Sequence, residues 1–148
     1  MIKNKIITIC ASASFYGHVI EIQTQLKKLG FKVLIPLTAQ KMQKNNDFRV
    51  EKYKTWIKKP EDYKKKTVLT RRHFIEIAKG DVILVLNYQK NGKSGYIGGA
   101  VLSEMAVAFY LKKSIYILNK IDNNSIFKEE IYGFQPTILN GNLNLIKK

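Results

Sequence analysis

Asp81-Val82-Ile83-Leu84-Val85-Leu86-Asn87 sets five apolar residues in a row between two polar ones. A strand with one wet face alternates apolar and polar residues. An unbroken apolar run of this length is the pattern of a strand covered on both faces, as in a parallel sheet. Reading outward, Thr67–Lys79 before it carries Leu69, Phe74, Ile77 and Ala78 in a helical pattern that Gly80 ends. After it, the glycine-containing loop Tyr88–Gly99 leads into a helix from about Ala100 to Lys112 and a strand at Ser114–Leu118.

The N-terminal part repeats the alternation. Ile6–Ala11 reads as a strand and His18–Leu29 as a helix with Val19, Ile22, Leu26 and Leu29 at helical spacing. Gly30 stops that helix, and Phe31–Ile35 is a second strand closed by Pro36. Near the C-terminus, a short helix at Ile126–Ile131 and a last strand at Pro136–Leu139 complete the pattern. Strands alternating with helices imply βαβ crossovers and a mainly parallel sheet flanked by helices. The 148 residues suffice for one such domain, and no internal repeat divides them. In an open parallel sheet, ligands bind beyond the carboxyl ends of the strands. Those ends lead into Ala11–Gly17, Asn87–Gly99 and the residues from Asn119 onward.

Composition narrows the partners. The chain carries 26 Lys and Arg against 11 acids, a formal net charge of +15. Such a charge attracts anions such as phosphates. Only Arg49, Arg71 and Arg72 offer bidentate recognition, and the joint excess of Lys, Ile and Asn reads as codon bias rather than a nucleic-acid footprint. No run approaches the roughly 18 apolar residues of a membrane span. Lys3 and Lys5 precede an apolar run that is shorter, at about six residues, than a typical signal-peptide core, and its β-branched residues suit a buried strand. The lone Cys10 can form no internal disulfide and fits a reducing cytoplasm.

Glu104 is the only charge in Ala100–Leu111, and Ala100, Val101, Val107 and Ala108 are its helical neighbours. A buried carboxylate there costs several kcal/mol unless paired, hydrogen-bonded or protonated, so a tuned functional carboxylate is one reason to keep it. A helix face reaching solvent, or a buried ion pair, is the other. Gly92–Gly99 would let backbone approach a ligand, or is simply a strand-to-helix connection. Ser12 and Ser14, before a helix, can cap it or hold a phosphate. Asp81 opens its strand as a turn or cap residue would, whereas Asn87 closes it at the ligand end. His18 reads as a first-turn surface histidine, His73 sits in a charged helix, and no Cys/His metal constellation is visible. The basic segment 41–66, with Tyr53, Trp56 and Tyr63 interleaved, is a lid, an interface or a solvated insertion.

Taken together, the Asp81–Asn87 strand, Gly95-Tyr96-Ile97-Gly98-Gly99 and the run from Glu104 to Leu118 resemble the nucleoside 2-deoxyribosyltransferase superfamily, which includes the nucleoside 5′-monophosphate N-glycosidases. The resemblance covers most of residues 5–118. It implies a single flavodoxin-like (Rossmann-like) domain that acts on a nucleoside or nucleotide without metal or cofactor. It also implies assembly as a homodimer or higher oligomer, with the tail Gly133–Lys148 able to complete a neighbour's pocket. Glu104 takes the role of nucleophile at the anomeric carbon, and Asp81 that of the family's strand acid. Ser12 and Tyr16 fall in the N-terminal pocket, and Tyr96, Gly98 and Gly99 on the sugar or phosphate side. Transferases of the family often carry an aspartate where this chain has Gly98, which favours hydrolysis over base exchange. Two other functions remain open at this point: nucleotide binding without catalysis, and a nucleic-acid module driven by charge.

Overall fold

The computed structural model describes residues 3–148. Five strands form one all-parallel sheet: β1 (Ile6–Ala11), β2 (Lys32–Leu34), β3 (Val82–Leu86), β4 (Ser114–Ile117) and β5 (Thr137–Ile138). Their spatial order is β2-β1-β3-β4-β5. This is the flavodoxin-like order, and its reversal between β1 and β3 opens a crevice at their carboxyl ends. The helices are α1 (Tyr16–Lys28), α2 (Leu37–Asn45), α3 (Val50–Tyr53), α4 (Tyr63–Lys79), α5 (Gly99–Tyr110) and α6 (Lys128–Gly133). Among the described residues, no helix is long and apolar enough to cross a membrane.

The continuous apolar run of β3 is explained by its two covered faces. Val82, Leu84 and Leu86 pack with Val19, Ile22 and Leu26 of α1, while Ile83 and Val85 pack with Ile77 of α4 and Met105 and Ala108 of α5. All five β3 residues are buried. Each apolar side chain so buried contributes about 1.5–3 kcal/mol relative to exposure.

Several boundaries differ from the sequence expectation, each through backbone hydrogen bonding. β2 is shorter than Phe31–Ile35 because Phe31 belongs to the end of α1. Its N–H donates to the Leu26 carbonyl while Gly30, at φ +95°, donates to Lys27. That paired arrangement is the Schellman ending. The same ending stops α5 at Tyr110 rather than Lys112. Lys112 takes the left-handed conformation (φ 57°), and Lys113 N–H donates to the Ala108 carbonyl. α6 starts two residues later than expected, after Ser125 Oγ accepts the Phe127 N–H. β5 keeps only Thr137–Ile138 of the expected strand.

The basic segment is the largest revision. Instead of a loose insertion, it is a chain of short elements: the end of α2, a left-handed turn at Asn46 (φ 49°), α3, two 3-10 turns and the first residues of α4. Asp47 gathers Arg49 (2.8 Å) and Lys52 (2.9 Å), and these partners hold its carboxyl well below the usual range, the Arg49 hydrogen bond most of all. Trp56 is buried at 7% exposure. The segment therefore forms a wall of the protein and not a solvated excursion.

Candidate functional site

The site begins where β1 ends. Cys10 is the penultimate residue of β1, and the chain then turns through Ser12 into a 3-10 turn (Ala13–Phe15) and α1, which starts with Tyr16. α5 crosses nearby with Val101, Met105 and Ala108 facing the sheet. Glu104, one position before Met105, is carried onto the edge of that buried face. From α4, the stripe that buries Ile77 also buries His73 four residues earlier.

These three elements bring Cys10, His73 and Glu104 together, with their donor atoms all within 4.8 Å of one another. Cys10 Sγ lies 3.6 Å from His73 Nε2, which in turn lies 3.9 Å from Glu104 Oε2. Glu104 Oε2 and His73 Nδ1 are closed to water and have no hydrogen-bond partner. Burial dominates the electrostatics. It raises Glu104 to about 8, against the pull of the Cys10 thiol and the positive charge of Lys66. It lowers His73 to about 4, helped by Lys66 and opposed by the Ile9 backbone. It also lifts the Cys10 thiol well above its ordinary value, with Glu104 adding to the effect. Near pH 7 the cluster is thus held neutral: a protonated carboxyl, a neutral imidazole and a thiol.

A sulfur, an imidazole and a carboxylate at this spacing form a set that a borderline-soft divalent cation could share. The expectation that no Cys/His constellation exists is corrected here, because residues 63 apart in sequence meet in the fold. Two features oppose a cation: the thiol stays protonated, and Lys66 places positive charge nearby.

Glu104 and His73 open onto a cavity of about 300 Å³. That is the lower end of the size range for small-molecule sites. Tyr16, Trp56, Lys54 and Lys66 also line it. Burial, then the charge of Glu104, keeps the Tyr16 phenol protonated far above its ordinary value, so it acts as a neutral hydroxyl. Lys66 Nζ stands 5.8 Å from the centre of the Trp56 ring, within cation–π range.

The residues singled out in the sequence separate into four groups. Glu104, Tyr16 and Gly99 line the cavity. Tyr96, Gly98 and Gly99 line a second hollow of about 250 Å³ with Asp122 and Ser125, so Gly99 stands between the two. Ser12 accepts from Lys90 Nζ (3.2 Å) and makes no side-chain cap, while Ser14 is exposed on a shallow groove beside Gly17 and His18.

Asp81 and Asn87 are scaffold, which corrects both assignments. Asp81 sits at the amino end of β3, away from the cavity. Its Oδ2 accepts the Ile6 N–H at 2.7 Å, and its own N–H donates to the Ile6 carbonyl. Asn87 is at the carboxyl end as expected, but its side chain is fully used. Nδ2 donates to the carbonyls of Asn119 (2.7 Å) and Gly95 (3.4 Å), and Oδ1 accepts the Asn119 N–H (2.9 Å). The glycine at position 95 serves this joint rather than a ligand: at φ +58° it lies so close to Lys120 that a Cβ would run into the Lys120 carbonyl.

Sequence reasoning missed Cys10, His73, Lys54, Trp56 and Lys66. The spacing Leu69-His73-Ile77 was the available signal for His73, since steps of four place all three on one helix face. No family model matches the sequence, and no curated protein matches it either.

Proposed function

We propose that the protein cleaves the N-glycosidic bond of a nucleoside or nucleoside 5′-monophosphate through Glu104. One observation carries the reading: a carboxyl with one oxygen shut off from water lines an aromatic and cationic cavity walled by the start of α1, the basic segment, α4 and α5. Trp56 and Tyr53 offer faces for a base, and the lysines offer charge for an anionic group.

Under this reading the Glu104 carboxylate forms a bond to the anomeric carbon as the C–N bond breaks. The bond electrons leave on the base nitrogen, which takes up a proton. Water then opens the glycosyl ester, loses a proton and restores the carboxylate. A second base doing the same would make the reaction a transfer. Gly98, standing where transferases of the resembled family often carry an aspartate, favours water. Tyr16, held protonated, supplies a neutral hydroxyl beside the carboxyl.

Base release, followed by chromatography across common nucleosides and their monophosphates, tests the activity. A 2-fluoro-substituted analogue should leave a mass adduct on Glu104, and full activity in folded Glu104→Ala would rule out the role. The second reading, nucleotide binding without catalysis, draws support from the protonated state of Glu104 near pH 7, because a neutral carboxyl binds but does not attack. Tight nucleotide binding with no base release across the panel would favour it. The reading further includes a homo-oligomer, supported by the exposed Phe109 and Tyr110 on α5, and a cytoplasmic setting, supported by the free Cys10.

A further inference from the structure

The basic segment sorts its cations. Asp47 takes Arg49 and Lys52, and Asp62 takes Lys65 at 3.4 Å. Those three cations are exposed and belong to the outer surface. Lys54 and Lys66 are different: both are half-buried, both line the cavity, and among the described residues neither is ion-paired.

The setting of Lys54 disfavours its positive charge in the absence of an anion. Burial lowers Lys54 from its ordinary value, and the nearby charges of Lys66 and Lys90 lower it further. Lys66 is held over Trp56, so its ammonium is already positioned. Lys90 is anchored on Ser12 at 3.2 Å and lies 5.0 Å from the centre of the Tyr96 ring. Arg72 is the third cation of the cavity lining, after Lys54 and Lys66. Glu76 and Glu104 share the lining, but Glu104 is held protonated near pH 7 and neither lysine is ion-paired with Glu76. An incoming anion therefore lowers the cost of gathering these cations, and more so where water is partly excluded. A phosphate monoester carries about −1.5 to −2 charges near neutral pH and three acceptor oxygens, and lysines bind it as point charges.

We propose that Lys54 and Lys66 form a phosphate-monoester subsite in the cavity that Glu104 lines, so that the ligand is a phosphorylated sugar or nucleotide rather than its free form. This rests on the glycosidase reading only for the reaction. The anion subsite itself is independent of turnover.

Titration calorimetry on the full chain, at pH 7 and roughly 0.15 M salt, tests it with ribose, ribose 5-phosphate and inorganic phosphate. Ribose 5-phosphate should bind at least about tenfold tighter than ribose, a difference of about 1.4 kcal/mol. Lys54→Gln with Lys66→Gln should erase that preference. Lys54→Arg with Lys66→Arg, which keeps the charge, should retain it. Lys28→Gln with Lys128→Gln, an exposed control pair, should leave it unchanged.

Equal affinity for ribose and ribose 5-phosphate would overturn the proposal. So would a control pair that removes the preference as strongly as the inner pair, because the effect would then belong to the overall charge. Inorganic phosphate binding as tightly as ribose 5-phosphate would overturn the substrate assignment, leaving a site for the free ion. Because these are binding measurements, a failure of base release leaves their outcome readable.

Discussion

His73 Nε2 stands 3.9 Å from Glu104 Oε2, and burial drives the two groups in opposite directions, the acid up to about 8 and the base down to about 4. The pair is therefore neutral near pH 7 instead of an ion pair. If Glu104 is the nucleophile, only its ionised form attacks, and that form grows as pH rises. Base release in kcat/KM should climb about tenfold per pH unit from about pH 6 and level off above about pH 8. Chromatographic rates across that range check it. A profile already flat at pH 6 would mean that the carboxylate titrates near its ordinary value and that burial does not tune it.

The same burial makes Glu104 a liability for folding. Its folded value is raised above the unfolded one, so its stabilising contribution is complete below about pH 4.5 and is lost as pH rises to about 8. The slope over that window is about 1.4 kcal/mol per pH unit. Glu104→Gln carries no such titration. Its stability relative to the native chain should increase across the window by a few kcal/mol and then stay constant. Urea unfolding of both proteins at several pH values reads the difference directly. His73 is present in both, so its own window, in which stability falls as pH drops from 6.5 through 4, largely cancels. A difference that does not change with pH would show that Glu104 is solvated in the folded state.

How much of this was legible follows from what sequence pattern can encode. β3 was readable because an unbroken Val/Ile/Leu run has one structural explanation, cover on both faces. Glu104 was readable because a lone acid in an apolar helix calls for a reason, and the cavity and its neutral neighbours supply the setting. Cys10 and His73 were not, because their meeting depends on how α4 lies against the end of β1, a long-range contact that no local period records. Lys54, Trp56 and Lys66 sit among turns and helices of three or four residues or at the first turns of α4, too short for helical periodicity to stand out. Asp81 shows the reverse error. Its place at the start of a strand already argued for a turn residue, and family resemblance alone had made it catalytic.

Asp81 accordingly gives a prediction that separates scaffold from chemistry. Asp81→Ala removes the acceptor for the Ile6 N–H and joins β1 less firmly to β3. The site is exposed, so the loss of stability should be about 1 kcal/mol, with base release within about twofold of the native rate. Asn87→Ala should cost more, about 2–4 kcal/mol, because it leaves the Asn119 N–H and the Asn119 and Gly95 carbonyls without their partner in a buried joint. Denaturant melts and rates measured on the same preparations test both. A collapse of activity in stable Asp81→Ala would return that residue to the mechanism.

The last prediction concerns the outward side of α5. Apart from Glu104 the helix carries no charge, and its C-terminal end leaves Phe109 half exposed and Tyr110 at 84% exposure. Phe109 also packs on Phe134 at 5.2 Å, so the apolar surface extends towards the C-terminal segment. Helix faces of this kind on a highly charged chain mark contact with another protein surface, and a second copy brings an identical apolar patch. Light scattering on a sizing column should give at least twice the 17.1 kDa chain mass. Phe109→Lys with Tyr110→Lys should return the protein to one chain mass while circular dichroism stays unchanged. A native chain that runs at 17.1 kDa across the micromolar range would show that this face meets no second copy and that the cavity works within one chain.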